Sequence, residues 1–276
     1  MSERIVQFGP RSGLVGTLTD AAPEARRGDG LGLLLLNAGL VHRVGPHRVN
    51  VKLARLAARH GVPSLRFDLS GRGDSGPGER SRDFRAQAVA DIRVALSVLA
   101  AHAGTRRHVL FGMCSGADDG VAAAIDEPGI TSVVLFDPYV FPTMRWRARI
   151  YASKLRKFRL LGGLGYLRKR RFEPTAYEDN VLMNFGRETP PIAEFANTLR
   201  ALCDRGVAVR LVYSGSTVDE RDFATQRRML LGRYGLSGAV AAEFLPDVDH
   251  VVASIDSQRR LTERFGDWLT DVPEAP

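Results

Sequence analysis

Only two cysteines and two tryptophans occur among the 276 residues, and these scarcities exclude whole classes of protein. Cys114 and Cys203 can make one disulfide at most, which is no framework for a small secreted scaffold, so reduced thiols in the cytoplasm are expected. No His and Cys cluster at finger spacing is present, and neither a metal nor a cofactor is expected. The N-terminus, Met1-Ser2-Glu3-Arg4-Ile5-Val6-Gln7-Phe8, alternates and lacks the charged start and apolar stretch of a secretory signal. The longest apolar run, Leu31 to Val41 broken at Asn37, is too short to cross a bilayer and reads as a buried strand with its exit loop. With 44% hydrophobic and 25% charged residues, the chain suits one globular α/β domain carrying an insertion.

Acidic residues are missing altogether from one stretch. Between Arg145 and Arg171 there are eleven Lys or Arg and no Asp or Glu, and removing those eleven from the formal charge of +8 leaves −3 elsewhere. The excess charge is local, which disfavours a general nucleic-acid-binding surface.

What is present follows a rhythm. Residues 4 to 8 and 13 to 19 alternate around Gly9-Pro10-Arg11-Ser12, which predicts an antiparallel hairpin at a sheet edge. Leu31-Gly32-Leu33-Leu34-Leu35-Leu36 is apolar on both faces, as a doubly covered parallel strand is. A helix from Pro46 to His60 follows, then a strand from Val62 to Asp68, a helix from Ala86 to Ala103, a strand at His108 to Phe111 with its helix, and a strand from Thr131 to Phe136. This alternation predicts an α/β fold with a mainly parallel sheet and helices on both faces. The rhythm stops at Tyr139 and resumes at Ile192, so residues 1–138 and 192–276 are expected to form the core and residues 139–191 a basic helical cap. In the second part a helix from Ile192 to Cys203, strands at 208 to 213 and 240 to 245, a charged helix over 221 to 234 and a last helix from Val251 to Leu269 are expected.

Residues 107 to 120 are where chemistry is expected. A strand that turns sharply into a helix strains its central residue and needs small neighbours two positions away on either side. Gly112-Met113-Cys114-Ser115-Gly116 meets that demand around Cys114, whereas a frame centred on Ser115 would place Met113 at a position that must be small. Cys114 is therefore the expected nucleophile, with Ser115 one step inside the helix. A nucleophile needs a base, and the base needs an acid to orient it. Asp219, after the strand 208 to 213, is the expected acid, with Glu220, Asp222 and Asp137 as rivals; His250, after the next strand, is the expected base. Gly71-Arg72-Gly73-Asp74-Ser75-Gly76 has dinucleotide-fingerprint spacing, but Gly76-Pro77-Gly78 prevents the helix that such a site requires, so a loop is expected.

Nucleophile, acid and histidine in this chain order, together with Asp68-Leu69-Ser70-Gly71-Arg72-Gly73-Asp74-Ser75, resemble an α/β-hydrolase of the serine-aminopeptidase-like group over nearly the whole length. More narrowly, Asn37-Ala38-Gly39, His42-Arg43-Val44-Gly45-Pro46-His47-Arg48 and Leu65-Arg66-Phe67-Asp68 resemble the hydrolases associated with the exosortase A system of bacterial exopolysaccharide export. Two departures stand out. Cys114 replaces the usual serine, as in dienelactone-hydrolase-like enzymes, and Asn37-Ala38-Gly39 replaces the usual His-Gly of the oxyanion loop. By that analogy the oxyanion donors are the backbone amides of Ser115 and of Gly39 or Leu40.

The resemblance implies acyl chemistry on a small-molecule acyl substrate through a Cys-His-Asp triad. Water as acceptor would make an esterase or thioesterase, and an alcohol or amine would make an acyltransferase. A catalytically silent fold that binds an anionic surface is the alternative of another class. In the insertion Met144, Ala148, Tyr151, Leu155 and Phe158 share one helical face among basic residues. That pattern suits a lid over the cleft, a solvated lid without a special partner, or a helix lying on an anionic lipid surface. Anionic polysaccharide, coenzyme A or an acyl carrier would suit the same charge, and the expected location is cytoplasmic or peripheral to the inner membrane.

Overall fold

The computed structural model describes residues 2–25, 27–79, 81–141, 143 and 189–272. The cap expected over 139–191 lies for the most part outside the described residues. Among the described residues eight strands form one sheet: β1 Glu3–Phe8, β2 Leu14–Thr19, β3 Leu31–Leu36, β4 Ser64–Phe67, β5 Arg107–Met113, β6 Ile130–Phe136, β7 Ala208–Ser214 and β8 Val240–Leu245. Their spatial order is β1-β2-β4-β3-β5-β6-β7-β8. The edge hairpin β1-β2 is antiparallel and β2 joins β4 antiparallel, while β4 through β8 run parallel.

Parallel strands need crossovers, and among the described residues six helices supply or flank them: α1 Val49–Arg59, α2 Phe84–Ala103, α3 Ser115–Asp126, α4 Ile192–Asp204, α5 Glu220–Arg227 and α6 Ile255–Thr270. The run of leucines in β3 serves both faces. Leu31, Leu33 and Leu35 pack with Val49, Leu53 and Ala57 of α1 and Leu261, Phe265 and Trp268 of α6. Leu34 and Leu36 pack with the opposite core, which holds Ile92 and Leu99 of α2, Ala117 and Val121 of α3, and Phe195 and Leu199 of α4. Phe111 of β5 meets Phe265 edge to face at 5.3 Å between ring centroids. The helix α2 is long and apolar enough to cross a membrane by length and composition. Its Ala88, Ile92, Ala95 and Leu99 face the core instead.

Several element ends differ from the sequence reading. The last helix begins at Ile255 with Ser254 as its N-cap, not at Val251. Residues 250 to 253 form a turn, because Asp249 draws in the amides of Val251 and Ala253, at 3.1 Å each to Oδ1, and Val252 takes a φ of 53°. The charged helix α5 stops at Arg227 and passes into a wider π turn, Arg228–Gly232.

The strand order positions the site. Strands β3 and β5 are neighbours, but β3 continues into α1 and β5 into α3, helices packed in opposite cores. Their exit loops diverge there and leave a crevice at the carboxyl ends of the strands, where open α/β sheets bind ligands.

Candidate active site

Cys114 occupies the sharp turn between β5 and α3 with φ 51° and ψ −119°, a region that L-residues rarely adopt. The flanking glycines explain how the chain accommodates it. A Cβ on Gly112 would stand 2.3 Å from the Gly116 carbonyl oxygen, and one on Gly116 would stand 2.5 Å from that of Asn37. The frame centred on Cys114 is therefore the one in which both tight positions carry glycine. The Cys114 amide donates to the Phe136 carbonyl at 2.9 Å, which ties the turn to the end of β6. Asp137 follows immediately.

Asp137, not Asp219, meets the histidine. Its Oδ2 lies 2.7 Å from Nδ1 of His250, and the carboxylate is 1% exposed. Oδ1 accepts the Ser214 amide at 2.7 Å and Oδ2 also accepts the Ser214 hydroxyl at 2.7 Å. A buried carboxylate needs such partners to offset its lost hydration. The expected acid, Asp219, instead caps α5 by accepting the Asp222 amide at 2.8 Å. Of its rivals on α5, Glu220 is exposed, and Asp222 Oδ1 accepts the Thr143 hydroxyl at 3.1 Å.

The loop after β8 carries His250 back over β6. Gly215 passes so close beneath it that a Cβ there would stand 2.0 Å from the Pro246 carbonyl oxygen, and the His250 amide donates to Ser216 Oγ at 2.6 Å. The ring thus has Asp137 on Nδ1, and its second hydrogen-bond partner is the Cys114 side chain. These two bonds, Asp137 first, hold the imidazolium against burial and raise its pKa from 6.5 to about 10. Cys114, His250 and Asp137 form one hydrogen-bonded chain. The other thiol differs: Cys203 is half-buried, the two cysteines are not joined in a disulfide, and burial pushes the Cys203 thiol up.

The β3 exit loop forms the facing wall. Asn37 is buried and fixed from both sides, donating to the Phe67 carbonyl at 3.1 Å and accepting from Asn50 at 2.5 Å. The Gly39 amide donates to the Ser115 hydroxyl oxygen at 2.7 Å, while Leu40 is 59% exposed on the turn closed by Val41 N–H and Ala38 C=O. Farther along, Arg43 locks this loop to the one after β4. Its Nη1 lies 2.6 Å from Asp68, 2.7 Å from Asp74 and 2.7 Å from His42 Nε2. His42, Asp68 and Asp74 converge closely enough to ligate a cation, but the guanidinium itself fills the role of cation among them. Residues 71 to 79 are turn and loop, so the dinucleotide reading of the glycines is rightly set aside.

Known proteins agree with this architecture. An esterase from Pyrococcus furiosus superposes with a TM-score of 0.63 at 14% identity, covering 98% of this chain and 91% of that one. A serine hydrolase without a lid from Xanthomonas campestris gives 0.59 at 14% identity, covering 100% and 96%. The proline iminopeptidase of Mycobacterium smegmatis gives 0.56 at 17% identity, covering 98% of each chain. Among curated proteins none matches the sequence. The sequence pattern of the alpha/beta hydrolase family matches residues 33–263, a span that runs from β3, through the Cys114 turn and His250, into α6, and the chain belongs to that family.

Proposed function

We propose that the chain is an acyl hydrolase, an esterase or thioesterase, in which Cys114 is the nucleophile, His250 the general acid and base, and Asp137 the group that orients His250. The observation that carries this reading is His250, bonded through Nδ1 to a buried carboxylate and on its other side to the side chain of a cysteine at a strained turn. The raised His250 pKa favours a resting pair of thiolate and imidazolium, the state from which a thiol attacks readily.

Attack of the Cys114 sulfur on the substrate carbonyl forms the C–S bond and moves the carbonyl π pair onto oxygen. Collapse of the tetrahedral adduct expels the alcohol or thiol, which takes the proton from His250. Water then attacks the acyl-thioester while the neutral ring accepts its proton, and expulsion of the Cys114 thiolate releases the acid. The Arg-rich stretch 145–171 supports an acidic substrate or carrier, such as coenzyme A, for the same site.

Short p-nitrophenyl esters and acyl thioesters are the test substrates, with acid-quenched mass spectrometry to locate the acyl group. The expected result is turnover that requires Cys114 and an adduct on the peptide that contains it. No turnover and no Cys114 adduct across both substrate series would sink the reading and leave a binding role for the fold.

A further inference from the structure

Resting on the acyl-transfer reading, we infer that the second oxyanion donor is the Ser115 side-chain hydroxyl, with the Gly39 amide one bond behind it. Of the two amides expected from this loop, the Gly39 N–H has its hydrogen already committed. It points at Ser115 Oγ, 2.7 Å away. An oxyanion bound directly by Gly39 would need the place that this oxygen occupies.

The loop has little freedom to offer the amide elsewhere. Asn37 is fixed to Phe67 and Asn50, the turn is closed from Val41 to Ala38 at 2.9 Å, and the Arg43 amide is held by Asp68 at 2.5 Å. Displacing the Ser115 hydroxyl would break a short, well-supported bond. Keeping it costs nothing, because a hydroxyl accepts through its lone pairs and still has one hydrogen to donate. Among the described residues no acceptor is recorded for that hydrogen.

Ser115 is also the first residue of α3 and follows the nucleophile directly. Its backbone N–H belongs to the first helical turn, whose amides have no acceptor within the helix. One residue therefore presents two donors, N–H and O–H, beside the Cys114 sulfur. The Gly39 N–H polarises the hydroxyl from behind and strengthens its donation, as bonds in a chain do. This assigns a task to the serine that sequence analysis left one step inside the helix, and it revises the expected role of Gly39 from direct donor to support.

The rival geometry is a plug, in which the hydroxyl merely shields the Gly39 amide until substrate displaces it. Ser115→Ala and Ser115→Thr separate the two. Under the inference, Ser115→Ala lowers kcat for a p-nitrophenyl ester by about 10²-fold, the scale of one lost oxyanion donor, with little change in KM. Ser115→Thr, which keeps the hydroxyl, restores most of it. Alkylation of Cys114 by iodoacetamide needs the thiolate but no oxyanion, and its rate stays at the wild-type value in Ser115→Ala. A kcat equal to or above wild type in Ser115→Ala would establish the plug and overturn the inference, as would a parallel fall in alkylation rate. The wild-type adduct keeps this outcome apart from failure of the underlying reading. An acyl group trapped on Ser115 rather than Cys114 would mean that the serine is the nucleophile and that both proposals fall together.

Discussion

Asp137→Asn tests the proposed acid at the level of single atoms. In the native site Oδ1 faces the Ser214 backbone amide and Oδ2 faces both the Ser214 hydroxyl and His250 Nδ1, each at 2.7 Å. A backbone N–H cannot turn away, so the new carboxamide must keep its oxygen toward Ser214 N and present its NH2 to the ring. Two donors cannot share one hydrogen bond. Nδ1 then loses its proton, the ring proton moves to Nε2 on the side of Cys114, and the ring can no longer accept a proton from the thiol. The expected cost is about 10² to 10⁴ in kcat, the scale set by the wrong histidine tautomer in hydrolase triads.

The pH profile carries a second, independent sign. His250 is charged below its pKa of about 10 and neutral above it, so acid assistance to the leaving group fades as pH rises through that value. Removing the carboxylate, the largest cause of the raised pKa, shifts the alkaline limb to lower pH. The ring is 36% exposed and water already moderates the pairing, so a move of about 1 to 2 pH units is expected rather than the full distance back to 6.5. The assay is kcat/KM from about pH 5 to pH 11 for wild type, Asp137→Asn and Asp219→Ala. The last variant removes the cap of α5, expected to cost about 0.5–2 kcal/mol of stability with activity retained. An Asp137→Asn enzyme within threefold of wild type and with an unmoved alkaline limb would refute the reasoning, and so would an inactive, folded Asp219→Ala.

Three further outcomes are expected. Cys114→Ala abolishes acyl transfer with an unchanged circular dichroism spectrum and melting curve, and Cys114→Ser loses most activity because a hydroxyl is far less acidic than a thiol. Iodoacetamide modifies Cys114 well before Cys203, whose thiol is pushed up by burial, and peptide mapping over a time course shows the order. Co-sedimentation with anionic and neutral vesicles at low and physiological salt tests the eleven basic residues of 145–171: salt-sensitive binding to the anionic vesicles alone supports a lipid surface, whereas equal, negligible binding removes it and leaves a soluble acidic partner.

The sheet was legible because its signals are periodic and local. The leucines of β3 serve two cores, and that is written in the sequence as an uninterrupted apolar run. The hairpin β1-β2 announced itself by alternation around a Gly-Pro turn, and β8 falls at Val240–Leu245 as expected. Boundaries near the site were less legible. The turn over 250 to 253 depends on Asp249 gathering the amides of Val251 and Ala253, and the apolar spacing of Val251 with Ile255 conceals it.

The tight turn that carries Cys114 could be placed from five residues, since Gly112 and Gly116 answer to atoms of the same turn and its immediate neighbour. The carboxylate that meets His250 could not, because two carboxylates follow two different strands and chain order alone allows either one. What separates them is how each leaves its strand. Asp137 directly follows Phe136, its φ of 48° turns the chain at the strand end, and its amide is held by the Val212 carbonyl at 2.7 Å. That pairing keeps the side chain at the sheet edge. Asp219 lies beyond the turn Ser214-Gly215-Ser216-Thr217-Val218 and is followed by Glu220-Arg221-Asp222, the composition of a helix start. The capping signal was therefore present in the sequence. Its neighbour Gly215 carried the other half of the answer. The chain needs glycine there so that the His250 loop can cross at Pro246, and the crossing sets His250 above the Asp137 carboxylate that Ser214 holds in place.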